Sequence, residues 1–173
     1  IESSPDGTRR ATEYAQERRL VIADPLGFGV HGSVFACRAQ HEETSTAVKI
    51  HLAEPAYRRE RDAYERLAAF HVTEILGHAV PQLLNADDRL WILEITIVSR
   101  PFLLDFGGAY LDHPPEFSDE VWAEWRAEKR EQFGLNWPHA EAILRALERY
   151  GLYMIDVNPG NIGFESDPND DIE

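Results

Sequence analysis

The sequence predicts an α+β fold, in which five short strands with one helix inserted after the third are followed by a shorter, mostly helical part. Three observations lead there. Runs rich in β-branched and aromatic residues recur through the first hundred residues, separated by turn compositions. One charged, amphipathic stretch interrupts them, and two more stretches of helical period lie near the end of the chain. The 173 residues, 43% of them apolar, are enough for one domain or two small lobes with a buried core.

The head, IESSPDGTRRATEYAQERR, is polar and reads as an arm or a short helix over residues 1–19. A first strand is expected at Leu20–Leu26 and a second at Ser33–Gln40, with the polar turn HEETS leading to a third, TAVKIH. In EPAYRRERDAYERLAAFHV, Ala63, Leu67 and Phe70 recur at helical spacing behind a proline suited to a first turn. VPQLLNADDRLWILEITIV gives two more strands joined by the turn NADD. Residues 99–117, containing RPFLLDFGGAYLDHPPEF, read as a connector. Ser118 is placed to cap FSDEVWAEWRAEKREQF, while NWPHAEAILRALERYG sets Ala140, Ile143, Leu144 and Leu147 on one face and ends at Gly151. The expected organisation is an arm at 1–19, a first lobe at 20–98, the connector, and a second lobe at 118–173.

Net charge is −14, from 31 acidic and 17 basic residues, which opposes broad contact with nucleic acid. Polyphosphate binding is compatible with that field, because a few aimed backbone amides, one lysine and a divalent cation act locally. No run approaches the roughly 20 apolar residues needed to cross a bilayer, so no membrane contact is expected. With Cys37 alone there is no intramolecular disulfide, and a reducing, cytoplasmic compartment is the default. The chain opens on Ile1 without a secretory pattern, consistent with a piece of a longer protein.

Between the first two strands lies DPLGFGVHGSVFACRAQ, with Gly27, Gly29 and Gly32 at spacings of two and three. Such a loop is either a phosphate cradle or a plain hairpin. A dinucleotide-binding loop opens a helix; here a strand follows.

Three further features stand in fixed order behind it. LGFGVHGSV is followed by AVKI, with Lys49 fifteen residues after Val34, then by Glu60 on the next helix, then by YMIDVNPGNIGF, where Asp156 and Asn161 are five apart. Together these resemble the protein-kinase-like superfamily over roughly Leu20 to Phe164. The resemblance implies a two-lobed kinase-like fold: a five-stranded antiparallel first lobe with one helix, and a truncated, mostly helical second lobe. ATP is then expected between the lobes. Leu26, the three glycines, Val34 and Ala47 would enclose the nucleotide, Lys49 would meet the α- and β-phosphates, and Glu60 would hold Lys49. Glu65 is the alternative partner, since only eleven residues separate Lys49 from Glu60. Leu93 or Glu94 would stand near the adenine edge. Asp156 corresponds to the residue that deprotonates the acceptor hydroxyl, and Asn161 to a magnesium ligand.

The pattern also departs from that family. Met154-Ile155 replace the His-Arg before the aspartate, so control by activation-loop phosphorylation is not expected, and Asn158 stands where a lysine contacts the phosphate. DVNPGN is closer to aminoglycoside phosphotransferase-like and atypical kinases. The second magnesium aspartate, about thirteen residues past Asn161 in the family, falls beyond Glu173. Either a longer chain supplies it, or Asp170 or Asp171 replaces it from a shorter hairpin, or it is missing. Asp105-Phe106-Gly107 lies about fifty residues before the catalytic loop and is read as connector. Three readings remain: an atypical minimal kinase using Mg-ATP on a small-molecule or protein acceptor, a pseudokinase acting as a nucleotide-binding or scaffolding regulator, and a fragment of a longer kinase.

Overall fold

The computed structural model describes residues 5–29, 32–40 and 43–165. Helix α1, Pro5–Arg18, is followed by β1, Leu20–Gly29, β2, Gly32–Ala39, β3, Ser45–His51, and helix α2, Glu54–Ala69. Two-residue strands β4, Glu74–Ile75, and β5, His78–Ala79, precede β6, Leu83–Asp87, and β7, Ile92–Thr96. Then come β8, Phe102–Leu103, β9, Ala109–Leu111, helix α3, Asp119–Phe133, a 3-10 turn at Gly134–Asn136, helix α4, Trp137–Glu148, and strands β10, Leu152–Met154, and β11, Ile162–Gly163. No helix among the described residues is long and apolar enough to cross a membrane. The chain divides into two units, one holding residues up to Glu65 with Pro81–Ile97, the other Arg66–Val80 with the chain from Val98.

The first unit is built on the expected five-stranded antiparallel sheet, in the order β1-β2-β3-β7-β6. Because side chains alternate along a strand, the register sorts its two faces. Val48 pairs with Phe35 and Glu94, and this face packs on α1 through a cluster that includes Tyr14, Cys37, Ile50 and Ile92. Lys49 pairs with Val34 and Leu93, and Ala47 with Ala36 and Ile95, on the opposite face. There α2 buries Tyr57, Glu60, Ala63 and Tyr64, which recur three or four residues apart.

The head is therefore a 14-residue helix seated on the sheet rather than an arm. Its polar composition conceals Ala11, Tyr14 and Ala15, which share one face and are all buried. Arg10 is buried as well and donates to the carbonyls of Leu90 and His51, at 2.9 Å each. Two helices flank the sheet where one was expected.

The second unit holds the two expected helices. Ser118 caps α3, its hydroxyl accepting from the Val121 N–H, and Ala140, Ile143, Leu144 and Leu147 form the buried face of α4. It also contains two small sheets that correct the mostly helical expectation: a pair β10-β9 and a four-stranded sheet β11-β8-β5-β4. Residues 99–117 supply β8 and β9 to these sheets. Strands of two or three residues are too short for a period of two to register in the sequence, and here pairing partners rather than propensity define them.

Candidate functional site

In the first unit the glycines lie inside a long antiparallel hairpin. β1 runs to Gly29 and β2 starts at Gly32, so Gly27 pairs with Val34 and Gly29 with Gly32. The hairpin tip, residues 30–31, lies outside the described residues. Two of the glycines do different work. A Cβ on Gly32, whose φ is +155°, would come within 1.9 Å of the Ile50 carbonyl oxygen, so the close approach of β2 to β3 requires glycine. A Cβ on Gly27 would meet nothing within 4 Å, which leaves open space beside the Lys49 face.

Lys49 and Glu60 meet as expected. The Lys49 ammonium is 2.9 Å from Glu60 Oε1 and 2.7 Å from Oε2, and both side chains are buried. Glu65 is exposed, which settles the choice between the two glutamates. Burial alone would push the Glu60 carboxyl up, but the Lys49 ammonium and the hydrogen bond from His51 outweigh it and hold the group at about 2. His51 was not singled out in the sequence. It stands two residues after Lys49, hence on the same face of β3, and its Nε2 is 2.6 Å from Glu60 Oε2. That period of two from a candidate lysine was the available signal.

Ala47 and Leu93 are buried on the Lys49 face, Val34 is half-buried and Leu26 is exposed. Glu94 pairs with Val48, on the sheet face opposite Lys49. Its side chain turns to the α1 face, where it accepts from the Tyr14 hydroxyl at 2.8 Å and the Thr46 hydroxyl at 3.1 Å.

In the second unit the segment from Met154 to Ile162 is anchored at both ends. Met154, Val157 and Ile162 are buried, and the Trp125 indole N–H donates to the Ile155 carbonyl at 2.9 Å. Between these anchors the turn is closed internally. The Asn161 side-chain oxygen accepts from the Asn158 N–H at 3.1 Å, and the Asn158 side-chain oxygen accepts from the Gly160 N–H at 2.8 Å. Asp156 is exposed on this loop and Asn161 is buried.

The segment 102–111 lies antiparallel to this loop, also held at both ends. β8 pairs with β11, Leu103 opposite Ile162, and β9 pairs with β10, Ala109 opposite Met154. The Leu104 N–H donates to the Asn161 carbonyl at 2.7 Å. Asp105-Phe106-Gly107, within the expected connector, thus runs between two strands that pair with the ends of the segment carrying Asp156 and Asn161. Phe106 is fully buried, and Asp105 has a φ of +62° with its carboxylate accepting from the Gly107 N–H at 3.3 Å. The tripeptide was visible in the sequence, but chain order hid its place, since the strands that position it pair with residues about fifty positions later.

Asp170 and Asp171 lie outside the described residues. Among the described residues no group of three or more His, Cys, Asp or Glu side chains could hold a metal. The oxygen-bearing side chains on these two segments include Asp105, Asp156, Asn158 and Asn161, and the Asn161 amide oxygen has a second lone pair besides the one taken by Asn158. No family model and no curated protein matches the chain.

Proposed function

We propose that this chain is an atypical, minimal ATP-dependent phosphotransferase with a kinase-like two-lobed architecture, moving the γ-phosphate of Mg-ATP to a hydroxyl acceptor. One observation carries the reading: the two strand pairings that set Asp105 beside the Asp156–Asn161 loop. The kinase-like pattern needs an aspartate on the hairpin next to that loop, and here such an aspartate sits on the neighbouring strand pair although it comes earlier in the chain. The missing metal aspartate was the main support for a pseudokinase, and a carboxylate at Asp105 for that role favours the enzyme reading.

Each residue has a task set by its surroundings. The glycine hairpin leaves room beside Gly27 for phosphate oxygens to approach backbone. Lys49, a compact cation held by buried Glu60, meets the α- and β-phosphates. Asp156 orients the acceptor hydroxyl and takes its proton as the oxygen bonds to the γ-phosphorus and ADP departs.

Asp105 and Asn161 would be the oxygen donors that hold magnesium here, a hard cation that needs few protein ligands. When bound, it supplies neutralisation of the charge on the transferring phosphoryl group. A cavity of about 380 Å³ in the second unit, bordered by Trp122, Trp125, Trp137, Tyr153 and Ile155, ends one residue before Asp156. Its volume suits a small-molecule acceptor with an apolar face.

Turnover of γ-labelled ATP without acceptor tests the reading. Slow release of labelled phosphate is expected from the wild type. Asp156→Ala should abolish the release while MgATP affinity stays within about twofold, a change of less than 0.5 kcal/mol. Nucleotide binding with no turnover in the wild type would instead support a pseudokinase.

A further inference from the structure

In the second unit, α3 and α4 border a cavity of about 380 Å³. Each helix lends it side chains three or four residues apart, hence one face: Trp122, Trp125 and Arg126 from α3, against Glu141, Arg145 and Glu148 from α4. The wall is aromatic. The planes of Trp122 and Trp125 stand 86° apart with centroids at 5.6 Å, and those of Trp125 and buried Trp137 stand 72° apart at 6.1 Å, so neighbouring rings form a corner rather than a stack. The Trp125 indole N–H donates to the Ile155 carbonyl at 2.9 Å. That bond uses the ring's only donor. What Trp125 has left for a ligand is an apolar surface with an electron-rich face.

The charges at the cavity are balanced. Two guanidiniums and two carboxylates line it, and one of each, Arg145 and Glu141, are 3.3 Å apart. A cationic ligand would gain from the carboxylates and lose to the guanidiniums. An anionic one meets the reverse balance and, besides, a net charge of −14 on the whole chain. A hydroxyl suits both signs, since it donates to a carboxylate and accepts from a guanidinium. A compound with hydroxyls along its edge and C–H bonds on its faces therefore matches the wall and the charged groups together, and a sugar ring is such a compound.

We propose that this cavity binds a neutral carbohydrate, with its C–H face against the indoles and its hydroxyl edge toward the arginines and glutamates, and that this sugar is the phosphate acceptor. The acceptor role rests on the phosphotransferase reading and names its substrate class; sugar binding stands without it. Ile155 borders the cavity, and Asp156 follows about 3.8 Å further along the backbone. One hydroxyl oxygen of the sugar bonds to the γ-phosphorus of ATP and gives its proton to Asp156, while the bond from that phosphorus to the bridging oxygen breaks and ADP leaves.

D-glucose, glucosamine and glucuronate share one ring and differ in charge; with D-galactose, D-ribose and sucrose they make the test on the full chain. Of the four tryptophans, three line the cavity and Trp91 lies in the first unit. In nitrogen-15 NMR spectra, a neutral sugar at millimolar concentration should move the indole signals of Trp122, Trp125 and Trp137 and leave that of Trp91 in place. Arg126→Ala, a change at an exposed position, should weaken this binding roughly tenfold, the loss expected for one hydrogen bond to a charged group. Trp122→Ala should weaken it at least as much. Wild-type affinity in Arg126→Ala, unmoved signals with every neutral sugar, or tighter binding of glucosamine or glucuronate than of glucose overturns the proposal. With γ-labelled ATP, transfer of the label to the bound sugar is expected. Turnover of ATP with no labelled sugar phosphate overturns the acceptor role alone. Sugar binding with no turnover at all strikes the phosphotransferase reading and the acceptor role together, and leaves the carbohydrate site.

Discussion

Glu60 has no exposed atom to spare, so its charge is tolerable only because Lys49 and His51 answer it. Removing one partner of a buried pair leaves an uncompensated charge, which costs about 3–5 kcal/mol. Lys49→Ala is expected to lower the unfolding free energy from urea titration by that amount, whereas a loss below about 1 kcal/mol would show the pair to be solvated. Glu60 also sets an acid limit. Its folded value of about 2 lies below the usual 4.5, so its contribution is complete above 4.5 and disappears as pH falls towards 2. The glycines divide differently. Gly32→Ala should destabilise the first unit through its clash with the Ile50 carbonyl, while Gly27→Ala should leave unfolding midpoints unchanged and weaken nucleotide binding. Equal effects on stability would contradict the hairpin geometry. Lys49 and Glu60 were legible because their order behind a glycine loop is distinctive. His51 was not, since a lone histidine on a strand reads as core.

Elements were legible in proportion to their length. The five long strands and helices α2, α3 and α4 announce themselves by period and caps, whereas α1 hides three buried residues in a polar stretch and β4, β5 and β8–β11 have no period to show. Those short strands nevertheless do the positioning. β5 begins at His78, whose ring is buried against Phe164 at 4.9 Å and His139 at 5.0 Å, with Nδ1 directed to the Leu76 carbonyl at 3.3 Å. Its Nε2 has no partner among the described residues. Burial, with some repulsion from His139, holds this imidazole below its usual value of 6.5. The unfolded chain therefore takes up the proton first, and stability should fall as pH drops through about 6.5 until the folded ring is also protonated. His78→Leu should flatten the pH dependence of the unfolding midpoint between about 7 and 5. An unchanged slope would place the titrating group elsewhere.

Taken as a molecule, the proposed phosphotransferase has its motif residues in a different chain order from the kinase-like pattern. A kinase-like pattern expects the loop with Asp156 and Asn161 first and an aspartate-bearing hairpin after it; here Asp105 comes first in the chain, on a segment whose flanking strands pair antiparallel with the ends of that loop. Strand pairing is indifferent to which segment precedes the other, so long as α3 and α4 bridge the interval. Motif spacing is read along the chain, whereas the adjacency of the Asp105 segment to the later loop exists only in the strand pairings. The most direct test is a thermal-shift titration with ATP, with and without Mg²⁺, on the wild type and Asp105→Asn. A ligand at about 100 times its dissociation constant stabilises the folded state by roughly 2.7 kcal/mol, a shift of several degrees for a chain of this size. A magnesium-dependent shift in the wild type that is lost in Asp105→Asn is the predicted result. No shift in the wild type, or the same magnesium-dependent shift in both proteins, would contradict it.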